Sequence, residues 1–388
     1  MATLPIVNAI PYPKQANPRR RLKVLVLDEY LPYPPNSGKP IRTWNLLKRM
    51  ATRHDVTLLC YADKTDAYLP NVRGAGLHVH TVPSLPNTTG LKLYAQLAAS
   101  AFSPNPFSVD RHVTTRFSTE LSCLLNSQRF DLVHCEWTPY AAYLQTEAST
   151  PYFVATHNVE SQILERRAET YSRAFARWFF RNQARKMATF EQRVLARAQH
   201  VSTVTELDRQ TIIRWVRSDV SLVENGVDLA WFTPSAQSTR DLLFIGSLDW
   251  QPNVDAIEFF LKAIFPTILS ERPQIRFVVV GKGPSPRLHR LLRSVSGVKF
   301  VGEVSDPRPH FASAAVVVVP LRIGGGSRIK ILESLAMGKA VVSTSVGAEG
   351  LSIQPGIHCI VADEPHLFSR QVLHLLASEE QRLRLGQA

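Results

Sequence analysis

Ten short apolar runs, mostly β-branched, constrain this chain more than any other feature. Five come early: LKVLVLD (22–28), DVTLLC (55–60), FDLVHC (130–135), PYFVAT (151–156) and HVSTVT (200–205). Five come later: DLLFIG (241–246), IRFVVVG (275–281), VKFVG (298–302), AAVVVVP (314–320) and KAVVST (339–344). Segments of helical character separate them. Apolar strands alternating with helices form parallel sheets covered on both faces. The turn-rich VENGVDLAWFTPSAQSTR (223–240) interrupts the series once. The expected fold class is therefore α/β, with two Rossmann-like domains facing across a cleft. The expected division is an N-terminal extension over 1–22, a first domain over 23–228 and a second over 229–388.

With 388 residues and 45% hydrophobic content, two ordinary domains can each have a core. The formal net charge of +13 implies an anionic partner: nucleic acid, a membrane surface or a phosphorylated metabolite. Cys60, Cys123, Cys135 and Cys359 are dispersed, with no CxxC pair and no His cluster at ligand spacing. Neither a disulfide framework nor a zinc site is expected, and a reducing cytoplasm is the simplest location. The first 22 residues lack a signal-peptide pattern, and no run approaches about 18 apolar residues, so any membrane contact is expected to be peripheral, on the inner face.

Open parallel sheets bind ligands beyond the carboxyl ends of their strands. PLRIGGGSRIKILESLAMGKAVVST (320–344) reads as strand, three glycines, helix and strand, with Arg328 and Lys330 at the helix start. Cations there cost roughly 0.3–1 kcal/mol each unless an anion sits opposite. The glycines allow a ligand close to the backbone, and the first-turn N–H groups point the same way, which fits a phosphate or diphosphate. The plainer alternative is a flexible loop before a helix with solvated basic residues. On a wheel begun at Ser327, Ile329, Ile331, Leu332, Leu335 and Ala336 form an apolar face, with Lys330, Glu333 and Ser334 on the other. Arg328 is expected to run off the helix end into the cleft. A surface Lys330–Glu333 pair would leave Arg328 and the glycines unexplained.

SRIKILESLAMGKAVVST with GAEGL (347–351) resembles the donor-binding segment of family 4 glycosyltransferases. NGVDLAWFTP (225–234) resembles that family's hinge, and FIGSLDWQPNVDAIEFF (244–260) the opening of its second domain. FVVVGKGP and VKFVGEVSD resemble the next two strand-loop units. The resemblance implies the two-domain GT-B fold and sugar transfer from a nucleotide sugar with retention at the anomeric carbon. It places Gly325, Gly326, Ser327, Arg328 and Lys330 against the donor, Glu333 on ribose or sugar hydroxyls, and Val304 beside the nucleoside. A carboxylate suits hydroxyls because it accepts two hydrogen bonds at once. The family's first donor-site glutamate falls on Gly325, and Ser247 and Asn253 stand where its Arg and Lys would follow the second domain's first strand. Arg328 and Lys330 are expected to supply those cations from the other loop. QRLRLGQA at the C-terminus stops short of the helix that usually crosses back to the first domain, which implies a shortened second domain.

In the first domain NSGKPIR (36–42) resembles the family's glycine loop, with Gly38 against the donor phosphates. His157 of HNVE matches its histidine near the transferring sugar. Glu160 is a partner for His157 or, preferably, an N-terminal helix charge. No DxD-like pair follows a strand, so neither metal nor other cofactor is expected, Arg328 and Lys330 taking a metal's electrostatic role. Residues 164–199 carry nine Lys or Arg against three Glu, with Arg173, Arg177, Arg181 and Arg185 at i,i+4 spacing among Tyr171, Phe175, Trp178 and Phe179. That is the pattern of an interfacial helix on anionic lipid, or of a solvated helix folded over its own domain. No nucleic-acid motif accompanies it. The expected partners are a nucleotide sugar, a glycan or lipid-linked acceptor and an anionic membrane. The alternative function is a non-catalytic nucleotide-sugar or polysaccharide-binding subunit of the same fold. A nicotinamide-dependent dehydrogenase is disfavoured because no GxGxxG follows the first strand.

Overall fold

The computed structural model describes residues 20–85, 88, 90–144, 150–235 and 241–388, so nearly all of the expected extension over 1–22 lies outside the described residues. The first domain is built on β1 (Lys23–Tyr30), β2 (Asp55–Tyr61), β3 (His78–Val82), β4 (Leu132–Cys135), β5 (Tyr152–Ala155), β6 (His200–Thr203) and β7 (Val220–Leu222). They pair in parallel in the order β3-β2-β1-β4-β5-β6-β7. The second contains β8 (Asp241–Ile245), β9 (Phe277–Val280), β10 (Val298–Gly302), β11 (Ala314–Val319), β12 (Ala340–Ser343) and β13 (Ile360–Val361), parallel in the order β10-β9-β8-β11-β12-β13.

All ten apolar runs are strands of these sheets. Leu25, Val26 and Leu27 of β1 and Val316 to Val319 of β11 have no exposed surface, because helices cover both faces of each sheet. Three strands did not announce themselves: β3 is the half-exposed edge segment HVHTV, and β7 and β13 have three and two residues.

Strand order reverses between β1 and β4 in one sheet and between β8 and β11 in the other. Loops leaving neighbouring strands at such a point diverge and leave a crevice. Leu27 of β1 lies opposite Cys135 of β4, which sets Asp28, still within β1, beside Glu136, just past the end of β4. Val317 of β11 lies opposite Leu243 of β8, which sets the glycine-rich loop beside the one that follows Ile245. The final helix, Glu379–Gln387, buries Leu385 in the second domain's core.

Candidate active site

The helix after the glycines spans Ile329–Ala336, so it begins two residues later than expected, with Arg328 at its cap. Arg328 does not extend into the cleft. It is 7% exposed and turns back beneath the loop, where Nη1 donates to the carbonyls of Gly325 and Gly326 and Nη2 to that of Val346 at 2.9 Å. The tight loop leaves carbonyls unpaired, and a guanidinium can satisfy several at once. Burial lowers its pKa to about 10, with Arg166 adding and Glu349 and Asp208 opposing.

Lys330 does reach towards the loop after β8. Its Nζ donates to Asn253 Oδ1 at 2.9 Å and sits 4.2 Å from the centre of the Phe244 ring. A Cβ on Gly246 would lie 2.7 Å from that nitrogen. The ammonium thus stands against the loop after β8, beside the asparagine at which the resemblance would have put a cation. Burial first, then Arg328, lower its pKa to about 7, against Glu333. Glu333 is buried too, and burial raises its carboxyl to about 7 against Lys330. No described residue donates a hydrogen bond to that carboxylate. Ser334 is fully buried and donates to the Lys330 carbonyl at 2.6 Å. The helix's polar face therefore turns inward, which removes the surface-pair alternative.

On the first-domain wall, His157 follows β5 and its Nε2 lies 3.1 Å from Glu136 Oε2, which also accepts from Thr43 Oγ1 at 3.1 Å. Glu136 is 1% exposed. Burial alone would raise its pKa, yet His134 and His157 together hold it well below the usual carboxylate range. An ionised carboxylate only accepts, so His157 donates from Nε2, leaving Nδ1 as an acceptor when the ring is neutral. Glu136, for which the sequence raised no expectation, is therefore the partner of His157. Glu160 opens the Glu160–Glu169 helix and accepts from Trp137 Nε1 at 3.0 Å, while its own N–H donates to buried Glu191 at 2.7 Å.

A second cluster lies at the end of β1. Lys39 Nζ is 2.5 Å from Asp28 Oδ1 and 3.6 Å from Glu29 Oε2, and His112 Nε2 is 3.2 Å from Glu29 Oε1. Burial would raise the Glu29 carboxyl, but His112 and Lys39 together bring it below its ordinary value. Lys39 follows Gly38, the first residue of the Gly38–Ala51 helix, where a Cβ would meet nothing within 4 Å.

The two walls touch. A Cβ on Gly326, whose φ is +64°, would collide with the His157 carbonyl, and one on Gly325 would lie 3.3 Å from Asn158 Cβ. Ser327 Oγ accepts from Asn225 Nδ2 at 2.7 Å, and Asn225 Oδ1 accepts from Arg42 at 2.9 Å. Asn36 donates to Glu303 at 2.6 Å, which brings the loop holding Val304 to the first domain. Arg166 spans the cleft, gripping both oxygens of Glu349 at 2.5 and 2.7 Å and donating to the Gly324 carbonyl at 2.5 Å. Gly325, Gly326, Ser327, Lys330 and Glu333 thus share one wall, with His157 opposite. Val304 lies on a flanking loop and Gly38 at the start of a flanking helix, and Arg328 lies beneath.

Residues 38–226 match the family described as glycosyl transferase 4-like domain, and residues 239–378 match glycosyl transferases group 1. A phosphatidyl-myo-inositol mannosyltransferase of Mycolicibacterium smegmatis is 29% identical over 154 residues, 37% of this chain and 39% of that protein. An uncharacterised 44.6 kDa protein in the cps region of Klebsiella pneumoniae is 23% identical over 141 residues, 34% of this chain and 36% of that protein. The chain thus aligns with little more than a third of each relative's length. Among solved structures, sucrose-phosphate synthase from Thermosynechococcus elongatus superposes with a TM-score of 0.71 at 16% identity, covering 95% of this chain and 92% of that one. Anabaena HepE in complex with UDP-glucose gives 0.65 at 14% identity, covering 94% and 93%.

Proposed function

We propose that this chain, which belongs to the family 4 glycosyltransferases, is a hexosyltransferase-type enzyme that takes a nucleotide-sugar donor and transfers its hexosyl group to a hydroxyl of a glycan or lipid-linked acceptor, with retention at the anomeric carbon. The observation that carries the reading is the placement of Lys330. Its ammonium is delivered to the loop after β8, on the same helix as unpartnered Glu333 and on the wall that meets His157.

In this reading the nucleoside diphosphate lies along the glycine-rich loop, with Lys330 and the first-turn N–H groups of the Ile329–Ala336 helix facing its phosphates. Negative charge grows on the diphosphate as the anomeric carbon–oxygen bond breaks, and buried, preorganised donors stabilise it best where water is excluded. Arg328 acts through the loop it holds. Glu333 accepts from donor hydroxyls, and Nδ1 of His157, fixed by Glu136, orients a hydroxyl at the transferring sugar. Glu29, His112 and Trp137 form a polar and aromatic wall suited to a sugar acceptor. No metal takes part in this scheme. Similarity to a mannosyltransferase and the likeness to a UDP-glucose complex make UDP- and GDP-hexoses the first donors to try.

The test is calorimetric titration with UDP-, GDP- and ADP-sugars, then product analysis by nuclear magnetic resonance with the donor that binds. An α-linked product from an α-linked donor is expected, and an inverted product would refute retention. Slow donor hydrolysis without acceptor should vanish in His157→Ala, and its persistence at the wild-type rate would remove His157 from the site.

A further inference from the structure

The first domain carries a surface that the donor site does not use. The Gly90–Phe102 helix has one buried residue, Ser100, and exposes Leu91 at 89%, Tyr94 at 70% and Phe102 at 93%. It is held at its C-terminal end, where Lys186 Nζ donates to the Ser100 and Ala101 carbonyls at 2.8 Å each. Lys186 belongs to the Ala174–Leu195 helix, which exposes Phe175 at 76% and Trp178 at 52%, their rings stacked 5.8 Å apart. Arg177, Arg181 and Arg185 run beside those rings, within roughly 80° of helix circumference at 100° per residue. No acidic side chain among the described residues pairs with the three arginines. The only acid on that helix, Glu191, is buried against the start of the Glu160–Glu169 helix.

We propose that these two helices form a docking face for an anionic phospholipid surface. The arginines meet lipid phosphates, Trp178, Phe175 and Tyr94 sit at headgroup level, and Leu91 and Phe102 enter the acyl boundary. Charge complementarity selects this occupant. Every exposed charge on the longer helix is positive, and Phe175 and Trp178 are exposed on the same helix, the composition of an in-plane interfacial helix. Among the described residues no helix is long and apolar enough to cross a membrane, so the contact is superficial. The Glu160–Glu169 helix starts three residues after His157 and runs roughly 14 Å towards this face at 1.5 Å per residue. A bilayer held there would display acceptors beside the cleft. That consequence rests on the glycosyl-transfer reading, whereas docking itself does not.

The test is flotation of the full chain with vesicles of phosphatidylcholine alone or of equal parts phosphatidylcholine and phosphatidylglycerol, across a salt series. Wild type should float with the anionic vesicles only, and less as salt rises. Changing Arg177, Arg181 and Arg185 to Gln together should lower partitioning on the order of a hundredfold, about fivefold per charge. Changing Leu91, Tyr94 and Phe102 to Ser should leave adsorption at low salt but remove the fraction that resists salt. Melting temperature and nucleotide-sugar binding should stay at wild-type values in both variants, which separates failure of docking from failure of the donor site. Wild type left at the bottom at low salt would overturn the proposal, as would equal flotation with neutral vesicles. So would a dimer, seen by sedimentation, that the Leu91, Tyr94 and Phe102 variant dissolves.

Discussion

Changing Lys330 to Met keeps the stem of the side chain and removes the charge proposed to face the donor diphosphate. In the free protein the ammonium's pKa is about 7, first because it is buried and then because Arg328 is near. A diphosphate opposite it favours the charged form, so above that pH binding must take up a proton. Each pH unit costs about 1.4 kcal/mol, a tenfold loss of affinity. The ligand's terminal phosphate, with a pKa of about 6, is already ionised there. Nucleoside diphosphate affinity should therefore fall about tenfold per unit above about pH 7. Glu333 acts in the opposite sense. Burial raises its carboxyl to about 7, so its ability to accept hydroxyl donors fades below that value. Intact donor should bind best near neutrality. Lys330→Met should weaken diphosphate binding at pH 7 by about 1.5–3 kcal/mol, leave nucleoside binding nearly unchanged and abolish the alkaline decline. Calorimetry in buffers of different ionisation enthalpy reads both affinity and proton uptake, which should approach one proton per site at alkaline pH. Stability gives a control of opposite sign. The folded-state pKa lies below the unfolded value, so the unfolded chain binds the extra proton and the ligand-free protein gains stability as pH rises from about 7 towards 10. Diphosphate affinity that is flat from neutral to alkaline pH, or an alkaline decline that survives in Lys330→Met, would refute the reasoning.

Arg328→Ala should lower the melting temperature far more than Lys330→Met, because it strands three carbonyls, two of them in the glycine loop, at about 1–3 kcal/mol each, and donor binding should be lost with the loop. Glu136→Gln replaces an acceptor with a group that can donate to His157 Nε2, so turnover should drop by about a hundredfold or more with donor affinity little changed; a normal turnover rate would show that the ring's orientation is immaterial. Arg166→Ala removes a two-pronged bridge across the cleft, and small-angle scattering should then report a larger radius of gyration for the ligand-free protein. Exhaustive treatment with EDTA should leave transfer activity unchanged, and loss restored by Mg²⁺ would mean that a metal ion, not Lys330, supplies the positive charge at the diphosphate.

What the sequence displays is what short-range geometry decides. Strands buried on both faces are continuous apolar runs and can be read directly, whereas β3, half-exposed at an edge, carries two histidines in five residues and cannot. Lys330 and Glu333 share a helix side because they stand three positions apart, which needs no tertiary information. Arg328 defeats the same reasoning. Its first turn permits both directions, and only the carbonyls of a loop closed at Gly326 and Val346 decide between them. Glu136 stands 21 residues before His157, and the two meet because β4 and β5 are neighbours in the sheet; the available signal was a glutamate placed directly after the buried run LVHC. Arg166 and Glu349, 183 residues apart, offer no such signal. The cation proposed for the donor site shows where this boundary runs. Its absence after β8 is visible in the sequence as Ser247 and Asn253. Because β8 and β11 are adjacent strands, the segments that follow them open on the same volume, and a lysine in the first turn of the Ile329–Ala336 helix reaches an asparagine in the first turn of the Gln251–Phe259 helix. A charge needed at one point in space can be encoded on either side of a topological switch point, so a motif scored one loop at a time registers the loss without the replacement.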